Sequence, residues 1–496
     1  MTLTGGSKLS SVTTEAVPSA TAPSRKTIGL FDGVVFVLSC TIGSGLFFAP
    51  GESASAVQDA GVSLLAWLVA GLISLAGSLC YSELGTAFVS AGAESHYLNK
   101  AFGPSVSFTF TWAMITLVGS TAVAAISRVF GQYACAIAPS LITGNLELCE
   151  RLVSVFVVIF LCVVNLVNPN YVLMLTRFNV VCKVVAVMIV VVGSVIAFFS
   201  GTASPDALLR QRFFSDQAVW TNFPQAVMFA VFAYSGWNML NPLTEEMADP
   251  KKDVPRVYTV GMVSTIVLAL LVNAAFMLVL PVDQMSGKLA SPFATLVDPN
   301  FGFLRPVLCV FISFCCLGSC NGILMGTCKC MAAAGQSAIL PASFGYKSKR
   351  HQVPFVSVIV FTIYSITLVF FDLNSIVAAY TVASWLFFVL VGISLFVLRS
   401  KYPNIVRPYK IHFYPFLPLV FIVGGAYILV MSCYNTIIIG SFCFGTCFVG
   451  LAMYLASKVD GINSLYHVFA DMIKAPSSGN DSTTSGAKPV SSTIEL

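Results

Sequence analysis

Charged residues are scarce in this sequence: they make up 9% of its 496 residues, whereas a soluble globular chain carries about 25%. Hydrophobic residues account for 57% of the chain. So little charge excludes a soluble globular protein of this size. The composition instead indicates an all-α polytopic membrane protein that lies in the lipid bilayer.

Histidine and clustered metal ligands are also scarce. The chain has four histidines, and none lies in mid-span beside a serine or cysteine, so no nucleophile–base pair is indicated. Most of the fifteen cysteines lie in apolar runs, where they act as small hydrophobic side chains. Cys328 and Cys330 are one residue apart with no histidine near them, which is not the spacing of a zinc site. We therefore expect no enzyme, metal, cofactor or nucleic-acid partner.

Apolar segments recur along the chain, and each is long enough to cross a hydrocarbon core about 30 Å thick. They predict twelve transmembrane helices, at 30–56, 62–85, 105–137, 152–169, 176–199, 222–242, 257–280, 303–334, 353–371, 375–398, 414–432 and 435–456. Polar composition predicts two disordered tails, 1–27 and 457–496.

Basic residues are divided unevenly between the two sides that these spans define. If both tails are cytoplasmic, the basic residues of the outer loops are only Arg151, Arg210, Arg212, Lys288 and Arg305. Cytoplasmic loops carry the excess of lysine and arginine in membrane proteins. Both termini are therefore predicted to be cytoplasmic.

Small residues interrupt two of the spans. Gly43, Ser44 and Gly45 lie at the centre of the first, and Ser235 and Gly236 lie near the middle of the sixth. Each glycine weakens a helix by about 1 kcal/mol relative to alanine. Taken alone, the first stretch fits a close helix–helix contact as well as a broken helix. Two interruptions five spans apart favour an inverted repeat with a binding site at the membrane midplane.

The predicted organisation follows from that spacing. The first repeat is 28–199, the second is 222–398, and two further helices lie within 414–456. A half-helix that begins at the first interruption presents free N–H groups and a positive dipole end. In a transporter the anion expected there is a substrate carboxylate.

Several motifs resemble one known family. They are Thr41-Ile-Gly-Ser-Gly-Leu-Phe47, Cys80-Tyr-Ser-Glu-Leu-Gly-Thr86, Phe232-Ala-Tyr-Ser-Gly-Trp-Asn238, Thr244-Glu-Glu-Met247, Leu317-Gly-Ser-Cys-Asn-Gly322 and Arg407-Pro-Tyr-Lys410. At these spacings residues 28–455 resemble the L-type light chains of heteromeric amino-acid transporters. Those light chains belong to the amino acid–polyamine–organocation superfamily.

The resemblance implies a LeuT-type fold and exchange of amino acids without sodium. It implies that the substrate carboxylate meets the N–H groups of Ser44 and Gly45. The substrate ammonium would meet the carbonyls of Thr41, Phe232 and Ser235. The whole implied site comprises Thr41, Ile42, Gly43, Ser44, Gly45, Phe232, Ala233, Tyr234, Ser235, Gly236 and Asn238. Phe232 matches the aromatic gate of the family, although plain core packing is the alternative for an aromatic residue in a buried span.

Two charged residues lie deep within predicted spans. Lys183 occupies the place where sodium-coupled relatives hold an ion, so its ammonium is predicted to replace that ion and bridge the first and eighth helices near Ser319; the alternative is snorkelling. Arg128 lies one turn before Gln132, the position that is basic in anion-accepting relatives. It is a candidate contact for an acidic side chain, together with Gln132 and Trp385, but it can equally snorkel or pair with Glu147.

The resemblance also implies a partner. Light chains carry an outer-loop cysteine between spans three and four that is disulfide-linked to a single-span glycoprotein heavy chain. Cys149 is the cysteine of that loop here, a few residues later than the family position near Thr143. It is predicted to form the link, and a buried or free thiol is the alternative.

The function expected is a sodium-independent plasma-membrane antiporter that moves neutral L-amino acids by alternating access. Neutral substrates are favoured because Ser235 stands where members that accept cationic substrates hold an acidic residue. Two alternatives remain: an exchanger of acidic amino acids or cystine that uses Arg128, and a receptor-like member that does not transport.

Overall fold

The structure is a computed structural model, and it describes residues 28–43, 45–138, 140, 144–167, 169–200, 213–282, 285, 303–337, 339–348 and 353–456. Within these ranges the chain is helical apart from turns and connections, with an isolated β-bridge between Ile28 and Met247. The all-α class expected from the sequence is confirmed. Both predicted tails and Ser44 lie outside the described residues.

Fifteen α-helices, α1 to α15, follow one another in the described ranges. In order they are Leu30–Thr41, Gly45–Val57, Ala60–Ala87, Ala93–Phe102, Pro104–Ala113, Gly119–Ile137, Leu146–Val167, Pro169–Phe199, Phe223–Ala233, Pro250–Val279, Leu304–Gln336, Phe355–Leu368, Leu373–Lys401, Phe416–Asn435 and Ile437–Ala456. A π-helical turn, Met114–Val118, joins α5 to α6. Short 3₁₀ helices occupy Trp220–Asn222, Trp237–Glu246 and Ala342–Gly345.

Side-chain caps and prolines fix several helix starts. Asp59 accepts a hydrogen bond from the Val62 N–H at 2.9 Å at the start of α3, and Asp372 accepts one from the Ser375 N–H at 3.1 Å at the start of α13. Such caps satisfy N–H groups that have no partner within the helix. Helices α5 and α10 begin with proline, whose fixed φ suits the first helical position.

The predicted spans match most of these helices. Nine helices of the described chain are long and apolar enough to cross a membrane when α5 to α6 is taken as one, and α1 with α2 makes a tenth, bent by 44°. The predicted ninth span is the shorter apolar helix α12. The predicted sixth is α9 followed by the 3₁₀ helix Trp237–Glu246. The arrangement of all twelve as a LeuT-type repeat stays a prediction.

Burial separates central from peripheral spans. The most apolar window of the span formed by α5 and α6 is 94% buried within the protein, whereas those of α14 and α15 are 28% and 22% buried. Helix α6 packs along α11, and α1 and α2 pack against α10 and α9 respectively. The helices around the two interruptions therefore form the centre, and the two C-terminal helices present apolar side chains outward.

Polar contacts tie the helix ends on the side that the basic residues assign to the cytoplasm. Glu83 is 1% exposed and receives two hydrogen bonds from Arg399, at 2.8 and 2.6 Å. Its carboxylate also accepts from the Ile411 N–H at 2.8 Å and lies 3.6 Å from Arg407. The sequence predicts Glu83 as an interfacial or helix–helix polar contact, and it joins α3 to α13 and to the segment that follows α13.

A second group of contacts lies on the same side. The Ile28 N–H donates to the Glu246 carbonyl at 3.1 Å, and the Ala248 N–H donates to the Ile28 carbonyl at 2.9 Å. Lys329, which the sequence suggests would snorkel, instead forms an ion pair with Glu246. The start of α1 is therefore held to the segment that follows the sixth span.

Candidate functional site

The first interruption separates α1 from α2. Helix α1 ends at Thr41, the Gly43 N–H turns back to the Thr41 carbonyl at 3.0 Å, and α2 begins at Gly45. The first N–H groups of α2 have no carbonyl partner one turn earlier in their own helix, as at any helix start. A helix N-terminus is thus present where the sequence predicts the carboxylate site, although Ser44 itself lies outside the described residues. Binding of an anion there stays a prediction.

The second interruption separates α9 from the 3₁₀ helix Trp237–Glu246. Helix α9 ends at Ala233, and the chain passes through Gly236 with φ of +99°. This left-handed conformation favours glycine. The Ser235 N–H and hydroxyl both donate to the Phe232 carbonyl. One of the carbonyls predicted to receive the substrate ammonium is therefore already hydrogen-bonded within the turn.

The two interruptions lie directly against each other. A Cβ atom on Gly45 would lie 2.5 Å from the Cα of Ala233, and one on Gly236 would lie 2.8 Å from the Cys40 carbonyl oxygen. Neither contact leaves room for a side chain. A third close approach places Gly43 against Ser319, whose Oγ would lie 2.8 Å from the added Cβ. At Gly45 and Gly236 glycine is needed because the backbones of separate helices meet there, whereas Gly43 lies against a side chain.

Phe232 and Tyr380 form an aromatic contact beside the breaks. Their ring centroids are 5.8 Å apart in an edge-to-face arrangement, and both residues are buried. Tyr380 lies on α13, with its hydroxyl near the side chains of Ser235 and Ser384. The sequence analysis missed Tyr380, since an aromatic residue inside an apolar span carries no distinguishing local signal.

A small cavity opens next to this aromatic pair. Its lining comes from the third, sixth, eighth and tenth predicted spans, and consists of Val118, Gly119, Ala122, Gly236, Asn238, Met239, Ile323, Tyr380 and Phe388. Two of these residues, Gly236 and Asn238, belong to the predicted site. Asn238 donates from Nδ2 to Glu94 Oε1 on α4 at 2.8 Å, so a polar contact connects the cavity to α4.

The other side chains predicted for the site point elsewhere. Tyr234 packs edge-to-face on Trp67 of α3, with centroids 5.7 Å apart. Trp385 contacts Phe421 of α14 at a centroid distance of 6.1 Å. Gln132 is half-buried on α6 and, like Trp385, is not part of the cavity lining. Thr41 is buried and shares a 3.1 Å hydrogen bond with Thr265 of α10, and Ile42 is buried at the end of α1.

Lys183 lies behind the first interruption. It is 2% exposed, and its Nζ donates to the Ser39 carbonyl and, at 3.0 Å, to Ser319 Oγ. Ser319 Oγ in turn donates to the Ser39 carbonyl at 3.1 Å. The ammonium therefore links α8 to α1 and α11 and does not snorkel. Its role as a replacement for an ion stays a prediction.

Arg128 lies on α6 near the predicted outer end of the protein. It is 5% exposed, and its Nε and Nη1 atoms have no hydrogen-bond partner among the described residues. The charges that act on its guanidinium are those of Arg151, Glu150, Glu147 and Asp372. Glu147 itself pairs with Arg151. These charged neighbours lie on α7 and at the start of α13. Arg128 is not part of the cavity lining.

Cys149 is half-buried in the first turn of α7. Its Sγ lies 3.7 Å from the Sγ of Cys135, which is buried in the last turn of α6. The sequence analysis treats Cys149 as the unpaired cysteine of this loop. In the structure a second cysteine, Cys135, lies beside it at the neighbouring helix end, although the two are fourteen positions apart in the sequence.

The described residues contain no group of three or more potential metal ligands. The interrupted helices, glycine contacts and small cavity instead suit the binding of a small zwitterion through backbone groups.

Comparison with known proteins identifies the family. Residues 28–454 match the model of the amino acid permease family. The chain is 28% identical to the human cystine/glutamate transporter over 415 residues, covering 83% of this chain and 81% of that protein. It is 25% identical to a serine/threonine exchanger of Bacillus subtilis, covering 88% and 97%. It is 24% identical to the large neutral amino acids transporter small subunit 2 of Oryctolagus cuniculus, covering 87% and 79%.

These matches agree with the motifs of the first and sixth spans, and they confirm the resemblance to transporter light chains. They indicate a multi-span membrane transporter rather than an enzyme. The chain belongs to the amino acid permease family.

Proposed function

We propose that this protein is a sodium-independent exchanger of neutral L-amino acids. The observation that carries the proposal is the contact between the two interruptions, where Gly45 meets Ala233 and Gly236 meets Cys40. Half-helix ends that meet in this way offer N–H groups to a carboxylate and carbonyls to an ammonium. Every L-amino acid carries both groups, so such a site recognises the shared part of the substrate.

The proposal includes a LeuT-type arrangement of twelve spans, with repeats 28–199 and 222–398. Supporting this arrangement are the bend between α1 and α2 and the corresponding break between α9 and the 3₁₀ helix. Alternating access would then move one group of helices relative to the other around the paired breaks.

Neutral substrates are proposed because the cavity lining contains no ionisable side chain other than the tyrosine hydroxyl of Tyr380. A buried cationic or anionic substrate side chain would lack a counter-ion there, and an uncompensated buried charge costs several kcal/mol. A second candidate, exchange of acidic amino acids or cystine, is favoured by the similarity to a cystine/glutamate transporter. It requires Arg128 to reach the substrate.

The proposed location is the plasma membrane, with both termini cytoplasmic as the basic loop residues suggest. A single-span glycoprotein heavy chain is the proposed partner, in keeping with the similarity to a protein named as a small subunit. A covalent link to that partner through Cys149 would compete with Cys135, whose Sγ lies 3.7 Å from that of Cys149.

The experiment that tests the proposal is counterflow. Purified protein is reconstituted into liposomes with or without internal leucine at about 1 mM, the upper end of ordinary KM values, and uptake of labelled leucine is followed. An exchanger accumulates label only in the loaded vesicles. Appreciable uptake into empty vesicles would indicate facilitated diffusion, and no uptake in either kind of vesicle would support a receptor-like role.

A further inference from the structure

Glu94 is a buried carboxyl group in direct contact with the candidate site. It lies at the start of α4, which is not one of the membrane spans, and it is 1% exposed. Oε1 accepts the hydrogen bond from Asn238, whereas Oε2 has no hydrogen-bond partner among the described residues. Buried carboxylates are normally paired with a cation or fully hydrogen-bonded. A half-satisfied carboxyl at this place suits the protonated form.

Among the residues that the structure describes, no basic side chain forms an ion pair with Glu94. The charge of Glu94 interacts electrostatically with four neutral titratable groups: Tyr81 on α3, Tyr97 on α4, Tyr258 on α10 and Cys330 on α11. The nearby basic and acidic groups are engaged elsewhere: Arg399 by Glu83, Lys401 by the Lys100 carbonyl, Lys329 by Glu246, and Glu245 by the Ala91 N–H. His96 and Lys100 lie on α4 itself and are only partly buried.

Burial therefore dominates the protonation of this carboxyl. It raises the pKa of Glu94 from 4.5 to about 7, and the hydrogen bond from Asn238 opposes the rise. Since Asn238 also lines the cavity, a displacement of the 3₁₀ helix would break the contact with Glu94 and admit water to it.

We propose that Glu94 is a proton-binding site coupled through Asn238 to the second interruption, so that closing the protein on this side takes up a proton and opening releases it. This inference rests on the proposed transport function. It makes the proton a second ligand of the carrier, bound at a position separate from the amino acid.

The direction of the coupling follows from linkage. In an open, hydrated state the carboxyl returns to its ordinary pKa, whereas in the closed state it holds its proton more tightly. Lowering the pH between about 4.5 and 7 therefore favours the closed state, by up to about tenfold for each pH unit. Below that window both states are protonated, and above it neither is, so the coupling is flat outside it.

The test uses the reconstituted full-length protein. Counterflow of labelled leucine is measured from pH 5 to pH 8 for the wild type, Glu94→Gln and His96→Asn. We expect the wild type and His96→Asn to share one pH-dependent profile. Glu94→Gln, which carries no titratable proton, should exchange with a flat profile.

Two outcomes would overturn the proton site while leaving the transport function intact: a flat wild-type profile, or a Glu94→Gln protein that keeps the wild-type profile. If counterflow is absent altogether, the transport proposal fails instead. The melting temperature of detergent-solubilised wild type then tests Glu94 separately. It should fall as pH rises from 5 to 8, and this fall should be smaller in Glu94→Gln; equal falls in both proteins would refute the assignment.

A different observation supports a second inference, at the predicted outer end of α6 and α7. The Sγ atoms of Cys135 and Cys149 lie 3.7 Å apart, and a bonded pair needs about 2.05 Å between the two sulfur atoms. Cys135 lies in the last turn of α6 and Cys149 in the first turn of α7. Rotation about their Cα–Cβ bonds moves the sulfur atoms by more than the difference between these two distances. The helix ends therefore already hold the two thiols close enough to join.

We infer that Cys135 and Cys149 form a disulfide within the chain that closes the connection between α6 and α7. The two thiols lose two protons and two electrons, and the electrons reduce the disulfide of an oxidising dithiol–disulfide protein to two thiols. The bond would use the cysteine that the family resemblance assigns to a heavy chain, so the two pairings exclude each other in one molecule.

Thiol labelling of the denatured, unreduced protein decides between them. With a maleimide mass tag, we expect every cysteine of the wild type to react except Cys135 and Cys149, which react only after reduction. Cys135→Ser should expose Cys149 to the tag, and the control Cys433→Ser should leave both protected. Labelling of both without reductant would overturn the inference, as would a larger adduct that Cys149→Ser abolishes.

Discussion

Lys183 Nζ and Ser319 Oγ are joined by a 3.0 Å hydrogen bond across the interface of α8 and α11. The same ammonium donates to the Ser39 carbonyl at the end of α1, one turn before the first interruption. A carbonyl at a helix C-terminus attracts a cation. We expect the lysine to supply the positive charge that a bound cation would otherwise provide between α1, α8 and α11.

Transport is expected to be independent of sodium for this reason. Replacing external sodium by choline should leave leucine counterflow unchanged, because the charge between α1 and α11 belongs to the protein. Loss of uptake in choline would contradict the interpretation of Lys183 as a substitute for an ion.

Lys183→Met should strongly reduce exchange. It leaves the Ser319 hydroxyl without a donor and removes one of the two donors to the Ser39 carbonyl, and each unsatisfied buried polar group costs about 1–3 kcal/mol. The matched control is Lys252→Met, since Lys252 is largely exposed and 3.8 Å from Asp249. The measurement is the counterflow rate at equal amounts of inserted protein, and similar rates in both variants would argue against a structural cation at this position.

Gly45→Val should abolish substrate binding by separating the two interruptions. The new Cβ would lie 2.5 Å from the Cα of Ala233, and backbone atoms cannot yield as a flexible side chain does. Gly445→Val makes the same chemical change on α15, where no atom lies within 4 Å. Binding of labelled leucine to purified protein should be retained in the control and lost in Gly45→Val. Full binding by Gly45→Val would remove the support for a site at the paired breaks.

Glu83→Gln should destabilise the protein more than any surface charge change. Glu83 is the buried partner of Arg399 and Arg407 and of the Ile411 N–H, and removing one partner of a buried ion pair costs about 3–5 kcal/mol. Glu147→Gln, which breaks an exposed pair with Arg151, should cost about 1 kcal/mol or less. Thermal unfolding in detergent compares the two, and equal melting temperatures would show that the Glu83 cluster contributes little.

Local sequence signals predict the parts of this fold that depend on local chemistry. Gly45 and Gly236 mark the breaks because glycine alone tolerates the close approach and the positive φ found there. The extent of the apolar runs predicts most helix ends to within a few residues, but α7, α8 and α10 begin six to seven residues before the predicted spans. Twelve spans are harder to recognise in the structure, since α9 is continued by a 3₁₀ helix and α12 is short.

Contacts between distant segments are beyond such signals. Tyr380 reaches Phe232 and Ser235 only because α13 packs beside α9, and Cys135 reaches Cys149 because two helix ends meet. Glu94 lies in a polar stretch whose composition is typical of an exposed helix, yet the packing of α4 buries its side chain. In each case the neighbour is determined by helix packing, which local sequence signals do not reveal.

The charge of the preferred substrate should follow from the chemistry of the second break. Ser235 lies at the second break, where its hydroxyl donates to the Phe232 carbonyl and supplies no negative charge. Competition of labelled leucine counterflow by excess phenylalanine, arginine and glutamate measures the preference. We expect strong inhibition by phenylalanine and little by arginine, because a buried guanidinium without a counter-ion costs several kcal/mol. Strong inhibition by arginine would refute the argument from Ser235.

Glutamate tests Arg128 in the same assay. Because the charges around Arg128 belong to α7 and the start of α13 and the residue does not line the cavity, we expect weak inhibition by glutamate. Arg128→Ala should then leave the pattern of competition unchanged and lower only the thermal stability, since it removes the cation from a group of carboxylates. Inhibition by glutamate that is strong in the wild type and disappears in Arg128→Ala would instead establish acidic substrates. That result would require the guanidinium to turn from α7 towards the breaks when substrate binds.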